Sequence, residues 1–168
     1  MTNHILTAVF SAGGSTRKVG KAISDIFCTD FYEILPREPY TAADLNWLSK
    51  KSRSSVEMND PSARPEIAEN TLDISSYDTI IIGYPIWWGL APRIIETFLE
   101  SHDFSGKRII PFCTSGGSGI GRSDMELHKN VSPDVIWEKG VQINRPNEKT
   151  IRKQLGSVLQ QQSDNIGH

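Results

Sequence analysis

The stretch TIIIGYPIWWGLAPRIIETFL, residues 79–99, decides the fold that this sequence predicts. Residues 79–82 are all β-branched and do not alternate with polar residues, which is typical of a strand covered on both faces. A strand is therefore expected over 79–84, followed by a turn rich in Pro, Trp and Gly. The helix that comes next carries Ile94, Ile95, Phe98 and Leu99 on one side. This order predicts one strand–turn–helix unit of a parallel α/β sheet.

Strand and helix patterns elsewhere in the chain repeat this alternation. Further strands are expected at 5–10, 31–35, 108–113 and 135–143, and Gly140 marks a turn or bulge within the last of these. A helix capped by Ser15 or Thr16 should follow the first strand, and other helices are expected at 121–130 and 147–160. The alternation predicts a doubly wound, five-stranded parallel sheet in one domain over 1–168, with a frayed tail at 161–168.

The segment 36–76 interrupts the alternation and is predicted to be a long irregular insertion with one short helix near 44–54. Long excursions of this kind are typical of lids or binding loops, and a plain surface connection is the equal alternative. Within it, Arg64 precedes Pro65, which keeps the backbone extended. Arg64 is therefore a candidate anion contact near a ligand, and the alternative is a surface ion pair.

Composition excludes several classes of function. The formal net charge is -2, so nothing in the charge balance favours nucleic acid or an anionic membrane as a partner. No apolar run is long enough to span a bilayer or to act as a secretory signal. Cys28 and Cys113 lie in or beside apolar elements, which predicts buried, reduced thiols and a cytoplasmic protein.

The four histidines are scattered without the spacing of metal ligands, so no metal site is expected. His102 and Asp103 are predicted to lie at the exposed end of a helix, where a cationic histidine suits the helix dipole.

The turn SAGGST, residues 11–16, links the first strand to the first helix. Its glycines leave backbone N–H groups free, its hydroxyls add donors, and the helix N-terminus adds positive potential. This combination suits a phosphate, and an ordinary capped turn is the alternative. A Walker A loop is excluded because Gly20-Lys21 is preceded by Ser15 at the required glycine position and followed by Ala22.

Other phosphate-site families fit the same turn less well. Neither 11–16 nor 116–121 has the glycine spacing of a dinucleotide-binding loop. A response-regulator receiver would need acidic residues where the first strand ends at Phe10-Ser11 and an aspartate near Gly83-Tyr84, and neither place has one. The spacing from Ser11 to Arg17 matches the Cys-x5-Arg loop of low-molecular-weight tyrosine phosphatases. A serine without a base does not replace the thiolate nucleophile of that class.

Three loops should meet at one edge of the sheet, because ligands of open α/β sheets bind outside the carboxyl ends of the strands. These loops are 11–16, 84–89 and 114–119. The first suits a phosphate, the second places indoles beside a flat ring, and the glycines of the third allow close backbone approach. Flavin mononucleotide (FMN), with a phosphate at one end and an aromatic ring at the other, would bridge them.

SAGGST, GYPIWWG and PFCTSGGSG, in this order, resemble the flavodoxin-like family over nearly the whole chain, in particular its stand-alone bacterial flavoproteins. The resemblance implies strand order 2-1-3-4-5, helices on both faces, and FMN at the carboxyl edge. It implies that the residues which hold the cofactor are Ser11, Gly13, Gly14, Ser15, Thr16, Pro85, Ile86, Trp87, Trp88, Gly89, Thr114, Ser115, Gly116, Gly117 and Ser118.

One departure from the family pattern weakens the expected phosphate site. Family loops usually carry a hydroxyl where this chain has Gly13. One hydrogen bond to a charged group contributes about 1.5–3 kcal/mol, so FMN affinity is expected to be lower by roughly 10- to 150-fold. The protein would then purify partly without its cofactor.

The near-neutral charge favours a flavoenzyme, because electron-carrying flavodoxins resemble one another in being strongly acidic. The sequence thus predicts an FMN oxidoreductase that passes electrons or hydride between NAD(P)H and a quinone-like or other small acceptor. Two alternatives stay open: a non-enzymatic electron carrier and a flavodoxin-like domain that has lost FMN. Trp87 or Trp88 would form one side of the substrate site. If these indoles or the segment 36–76 are partly exposed, a homodimer is favoured.

Overall fold

The structure is a computed structural model that describes residues 4–69, 71–115 and 120–166. Its strands and helices alternate along the chain as a doubly wound fold requires. They are β1 (Ile5–Val9), α1 (Ser15–Phe27), β2 (Asp30–Glu33), α2 (Arg53–Asn59), β3 (Thr79–Pro85), α3 (Arg93–Glu100), β4 (Arg108–Thr114), α4 (Ser123–His128), β5 (Ile136–Trp137), β6 (Val141–Gln142) and α5 (Glu148–Ile166).

All strand pairs of the sheet are parallel, and the order is β2-β1-β3-β4-β5. The predicted order 2-1-3-4-5 is therefore confirmed. The central strands pair over most of their length, with Ile80 beside Leu6 on one side and Ile109 on the other. A sheet with this order reverses its winding between β1 and β3, which is where ligands bind in such folds.

Two apolar layers cover the two faces of the sheet. On one face, α1 and α5 pack on β1, β3 and β4 through Val19, Ile23, Ile151 and Leu155, all fully buried. On the other face, α3 packs through the four apolar residues that its sequence pattern predicted. Ile34, which follows β2, and Ile67 and Ile74 of the insertion belong to the same apolar layer. The face predicted for α3 is confirmed, because Ile94, Ile95, Phe98 and Leu99 are all buried.

The strand predicted at 135–143 is divided into β5 and β6, which both pair with β4. The interruption falls at 138–140, where Gly140 approaches its neighbours too closely for a larger residue. A Cβ there would lie 2.1 Å from Cδ1 of Ile120. The last helix continues to Ile166, beyond the end predicted at 160.

The short helix of the insertion was predicted at 44–54, and this position is wrong. The structure has turns at 44–52 and a helix, α2, that begins at Arg53. Side chains in the turn bind backbone N–H groups that a helix would need: Leu48 N–H donates to Asn46, and Lys51 N–H donates to Ser49. Such local bonds compete with helix formation, and Ser52 then caps α2 by accepting from Ser55 N–H.

The two cysteines differ in exposure. Both are free, as predicted, but Cys28 is exposed; it is the C-cap of α1 and has a left-handed φ of 56°. Cys113 lies in β4, and burial raises the pKa of its thiol to about 12. The prediction of a buried thiol is thus wrong for Cys28 and confirmed for Cys113. No helix within the described part of the chain has the length and apolar character needed to cross a membrane.

Candidate functional site

The loops after β1, β3 and β4 are joined directly by hydrogen bonds. Ile86 N–H, just after β3, donates to the carbonyl of Thr114 at 3.0 Å. The hydroxyls of Thr16 and Thr114 lie 2.8 Å apart, which links the first loop to the third. Because both hydroxyls are buried, this bond fixes the spacing between α1 and the end of β4. The three loops therefore form one continuous rim.

A cavity of about 680 Å³ opens at this rim, within the size range of small-molecule and cofactor sites. Part of it is formed by residues that the sequence predicted, and we call this part the sheet-edge wall: Gly13, Ser15, Thr16, Pro85, Ile86, Trp87, Trp88, Thr114 and Ser115. Three residues from 36–76 also line it, and we call them the insertion wall: Leu45, Trp47 and Ser54.

Some predicted site residues do not line the cavity. Ser11, Gly14 and Gly89 lie in the loops but not on its lining. Gly116, Gly117 and Ser118 lie outside the described residues. Conversely, Ala12, Asn144 and Arg145 line the cavity and were not predicted. Asn144 and Arg145 follow β6 at the same sheet edge, so the rule that placed the other loops would have found them.

The first loop and the first turn of α1 have a backbone geometry and a charge that suit an anion. Gly14 is the N-cap, with φ of 98°, and not Ser15 or Thr16 as predicted. A left-handed φ is one that glycine adopts without strain, which explains its place there. The Ser11 hydroxyl accepts from Gly14 N–H at 2.9 Å and so shapes the loop from within. The first turn of α1 carries no acidic residue, so its N–H groups and dipole favour a negative ligand.

The two indoles after β3 have different environments. Trp87 and Leu90 exchange backbone hydrogen bonds at 2.8 and 3.0 Å around a two-residue turn. Trp88 and Gly89 occupy its centre with φ of 52° and 78°, as a tight hairpin turn of the primed kind requires. The Trp87 ring packs edge-on against Phe10 at 5.8 Å, whereas Trp88 is half exposed.

A polar network supports Trp87 from the insertion. The Tyr40 ring lies 5.5 Å from that of Trp87, and its hydroxyl donates to Glu57 at 2.5 Å. Arg53 donates to the same carboxylate and lies over the Tyr40 ring, at 3.9 Å from its centre. Burial, together with the bond to Glu57, raises the pKa of Tyr40, so its hydroxyl stays protonated. The Tyr40 ring, fixed by these contacts, therefore supports one side of Trp87.

The segment after β6 carries the charge of the site. Ser115 N–H donates to the side chain of Asn144 at 2.9 Å, which ties the end of β4 to the segment after β6. Arg145, the next residue, lines the cavity. Among the described residues of the lining it alone is charged, and the ion pairs of the described chain do not include it. The cavity therefore presents one positive charge.

The structure decides two side-chain predictions. For Arg64, the anion contact is wrong and the alternative, an ion pair, is confirmed, because Arg64 donates to both oxygens of Glu100 at 3.0 Å and pairs with Glu96 at 3.2 Å on α3. His102 was predicted to be cationic at an exposed helix end. Its ring instead packs on Phe98 and Phe104, and this burial lowers its pKa.

A family model described as flavodoxin matches residues 4–158. Two crystal structures of candidate flavoproteins are similar to this chain. That from Bacteroides eggerthii DSM 20697 is 50% identical with a TM-score of 0.87, and the match covers 92% of this chain and 97% of that one. That from Bacteroides uniformis ATCC 8492 is 46% identical with a TM-score of 0.88, covering 93% and 99%.

A more distant likeness is to a flavoprotein of Lactobacillus acidophilus NCFM, whose crystal structure is a complex with FMN. Its identity is 23% and its TM-score 0.64, with 83% of this chain and 92% of that chain covered, so the likeness is one of fold. None of the proteins with curated functions matches this chain.

Proposed function

This chain belongs to the flavodoxin family, and from that premise we propose that it binds FMN and acts as an oxidoreductase between NAD(P)H and a small, quinone-like acceptor. The observation that carries the proposal is the hydrogen-bonded meeting of three loops on one cavity. The start of α1 and Ser15 would take the phosphate. Trp87, Trp88 and the backbone around Thr114 would flank the ring.

The residues present fit such a cofactor. The cavity offers a helix N-terminus for a dianion at one place and indoles for a flat ring at another. The fold of an FMN-bound flavoprotein supports this assignment. Bound flavin supplies hydride and electron transfer, while the protein binds, orients and tunes it. The free state of both cysteines supports a reducing compartment, and we place the activity in the cytoplasm.

The positive charge at Arg145 favours an enzyme over a simple electron carrier. Reduction adds negative charge to a bound flavin, and a cation lining the same cavity stabilises that charge. In the overall reaction, NAD(P)H gives up a hydride, which carries two electrons. The acceptor gains these two electrons with two protons, one from the hydride and one from solvent, and so a quinone becomes a hydroquinone.

The cofactor assignment is tested by titrating FMN into the purified apoprotein. Binding in the cavity should quench flavin fluorescence with a saturable, one-site curve. Riboflavin, which lacks the phosphate, should bind more weakly, because the start of α1 would have no anion to hold. Unquenched fluorescence at all ratios would contradict the proposal.

Gly13→Ser provides a gain-of-affinity test. A Cβ at Gly13 has no atom within 4 Å, so a serine fits without displacing its neighbours. Its hydroxyl restores the donor of the family loop and should tighten FMN binding by roughly 10-fold or more. Riboflavin affinity should not change. An equal effect on both ligands, or none, would show that the phosphate does not lie at this loop.

Steady-state turnover then separates an enzyme from a carrier. The FMN-loaded protein should oxidise NADH or NADPH continuously when a quinone is present. Stoichiometric reduction without turnover on any acceptor would support the electron carrier instead.

A further inference from the structure

We infer that the insertion wall forms a second subsite, separate from the place of FMN, for a neutral flat ring that bears a carbonyl oxygen, the chemistry of a quinone. The inference rests on the proposed function, because the ring would receive its electrons from the flavin. It assigns stacking to Trp47 and hydrogen bonding to Ser54.

The insertion wall is chemically unlike the rest of the lining. Leu45 and Trp47 are apolar, Ser54 is polar but neutral, and none of the three carries a charge. Such a surface gives an ionic group nothing to offset the loss of its hydration, so it disfavours an anionic ligand. The phosphate site and Arg145 belong to other segments of the lining. This part of the cavity therefore suits a neutral molecule.

Ser54 carries an unsatisfied hydroxyl. The residue is 2% exposed, and its Oγ is buried with no hydrogen-bond partner in the described structure. One other buried side-chain atom of the described residues shares this state, Nε1 of Trp137, which does not line the cavity. An unpaired buried polar group is costly, and it marks a place where a partner is expected. Rotation about χ1 redirects a serine hydroxyl among three staggered positions, which would bring it to a ligand carbonyl.

The exposure of Trp47 has the same explanation. Its side chain is 70% exposed although it lines the cavity. Large aromatic rings gain most from burial against another flat ring, where stacking adds to the area removed from water. A bound quinone would cover the indole on one face and present its carbonyl to the hydroxyl of Ser54. Stacking and hydrogen bonding together would select a flat carbonyl compound.

The insertion wall is also held firmly enough to bind. Ser54 N–H donates to the carbonyl of Asp44 at 3.0 Å, which fixes the turn that carries Leu45 and Trp47 against the start of α2. Arg93 of α3 donates to the carbonyls of Glu57 and Met58 and so anchors α2 to the sheet layer. The subsite is therefore preorganised, which lowers the entropy cost of binding.

The experiment measures binding of 2-methyl-1,4-naphthoquinone to the oxidised, FMN-loaded protein by calorimetry. The variants are Trp47→Ala and Ser54→Ala. The matched control is Leu48→Ala, since Leu48 is 75% exposed, adjoins Trp47 and does not line the cavity. We expect quinone affinity to fall at least fivefold in Trp47→Ala and about 2- to 13-fold in Ser54→Ala. Leu48→Ala and wild type should bind alike, and FMN affinity should change less than twofold in all variants.

A second readout separates a ligand contact from a structural role. Because the Ser54 hydroxyl has no partner, Ser54→Ala should keep or raise the melting temperature of the apoprotein. A buried serine that bonded its neighbours would lower it. The sulfonated analogue, 1,4-naphthoquinone-2-sulfonate, should bind at least tenfold more weakly than the neutral quinone.

Five results would overturn the inference. Quinone affinity could be unchanged in both variants, or the sulfonate could bind as tightly as the neutral compound. FMN affinity could fall with quinone affinity in Trp47→Ala, which would assign the indole to the cofactor. Trp47→Ala could convert a dimer to a monomer in size-exclusion chromatography, which would assign it to a second copy of the chain. If wild type binds quinone but not FMN, the proposed function fails, and the inference fails with it.

Discussion

The two walls of the cavity are built in different ways. The sheet-edge wall follows the ends of parallel strands, and its loops are tied by bonds such as Ile86 N–H to Thr114. The insertion wall is attached by side chains, chiefly Arg93, which reaches across to the carbonyls of Glu57 and Met58. The first wall inherits its geometry from the sheet order, whereas the second depends on a few long contacts. We therefore expect binding at the two walls to change independently when either wall is mutated.

The largest loss of stability is expected on mutation of Arg93, because its hydrogen bonds attach α2 and the insertion wall to α3. Arg93 is buried, and Arg93→Met removes the donor from two backbone carbonyls and one of the two guanidinium groups that pair with Glu96. Each hydrogen bond to a charged group contributes about 1.5–3 kcal/mol, so losing both carbonyl bonds should cost about 3–5 kcal/mol in the free energy of unfolding. Urea denaturation should show this loss, and hydrogen exchange should rise first in α2 rather than in β1, β3 or β4.

Arg64→Met is the matched control for that experiment. Arg64 also pairs with Glu96, but it is more exposed than Arg93, and its other partners are the exposed Glu100 and the nearby carbonyls of Pro61 and Ala63 in its own turn. Exposed ion pairs contribute about 0–1 kcal/mol, so the control should lose little stability. Equal losses in the two variants would mean that Arg93 acts as an ordinary surface pair and does not anchor the insertion.

A smaller effect is expected where the sheet-edge wall is joined, at the pair Thr16 and Thr114. Thr114→Val leaves the buried hydroxyl of Thr16 without this partner and should cost about 1–3 kcal/mol of unfolding free energy. FMN affinity should fall in parallel, while hydrogen exchange in α2 stays unchanged. This is the reverse of the pattern expected for Arg93→Met.

The double variant Thr16→Val/Thr114→Val completes a thermodynamic cycle. Removing both hydroxyls leaves neither unsatisfied, so the double variant should lose less stability than the sum of the single ones. Strict additivity would mean that the two hydroxyls do not interact, and the rim would then need another explanation.

The same contrast explains what the sequence could predict. Strands β3 and β4 are uninterrupted apolar runs, and the helix after β3 has a clear apolar side, so local pattern was sufficient. The loops of the sheet-edge wall could then be placed together, because the carboxyl ends of parallel strands share one edge. Even Arg145, which was missed, obeys that rule since it follows β6.

The insertion wall was not predictable by local pattern. Trp47 lies in a turn shaped by side-chain bonds of Asn46 and Ser49, which no periodicity reveals. Its anchor joins Arg93 to carbonyls 35 and 36 residues earlier in the chain. Whether Arg64 meets a ligand or a carboxylate also depends on packing between distant segments. Such contacts are decided by tertiary structure, and single-residue propensities carry no signal for them.

The smallest loss of stability is expected on lowering the pH, through His102 on the side of the sheet that carries the insertion. His102 packs on Phe98 and Phe104 near Asp73, and burial lowers its pKa below 6.5 despite the nearby carboxylate. The unfolded chain then binds a proton more readily than the folded one, so this contribution to stability is complete above about pH 6.5 and is lost as pH falls through the folded pKa. Since His102 is only part-buried, the loss should stay below about 1 kcal/mol.

The measurement is urea denaturation at pH 7.5 and at pH 5.0. The free energy of unfolding should differ less between the two pH values in His102→Gln than in wild type. A wild type that gains stability on acidification relative to His102→Gln would mean that Asp73, not burial, dominates, and that the charged imidazole stabilises the end of the insertion.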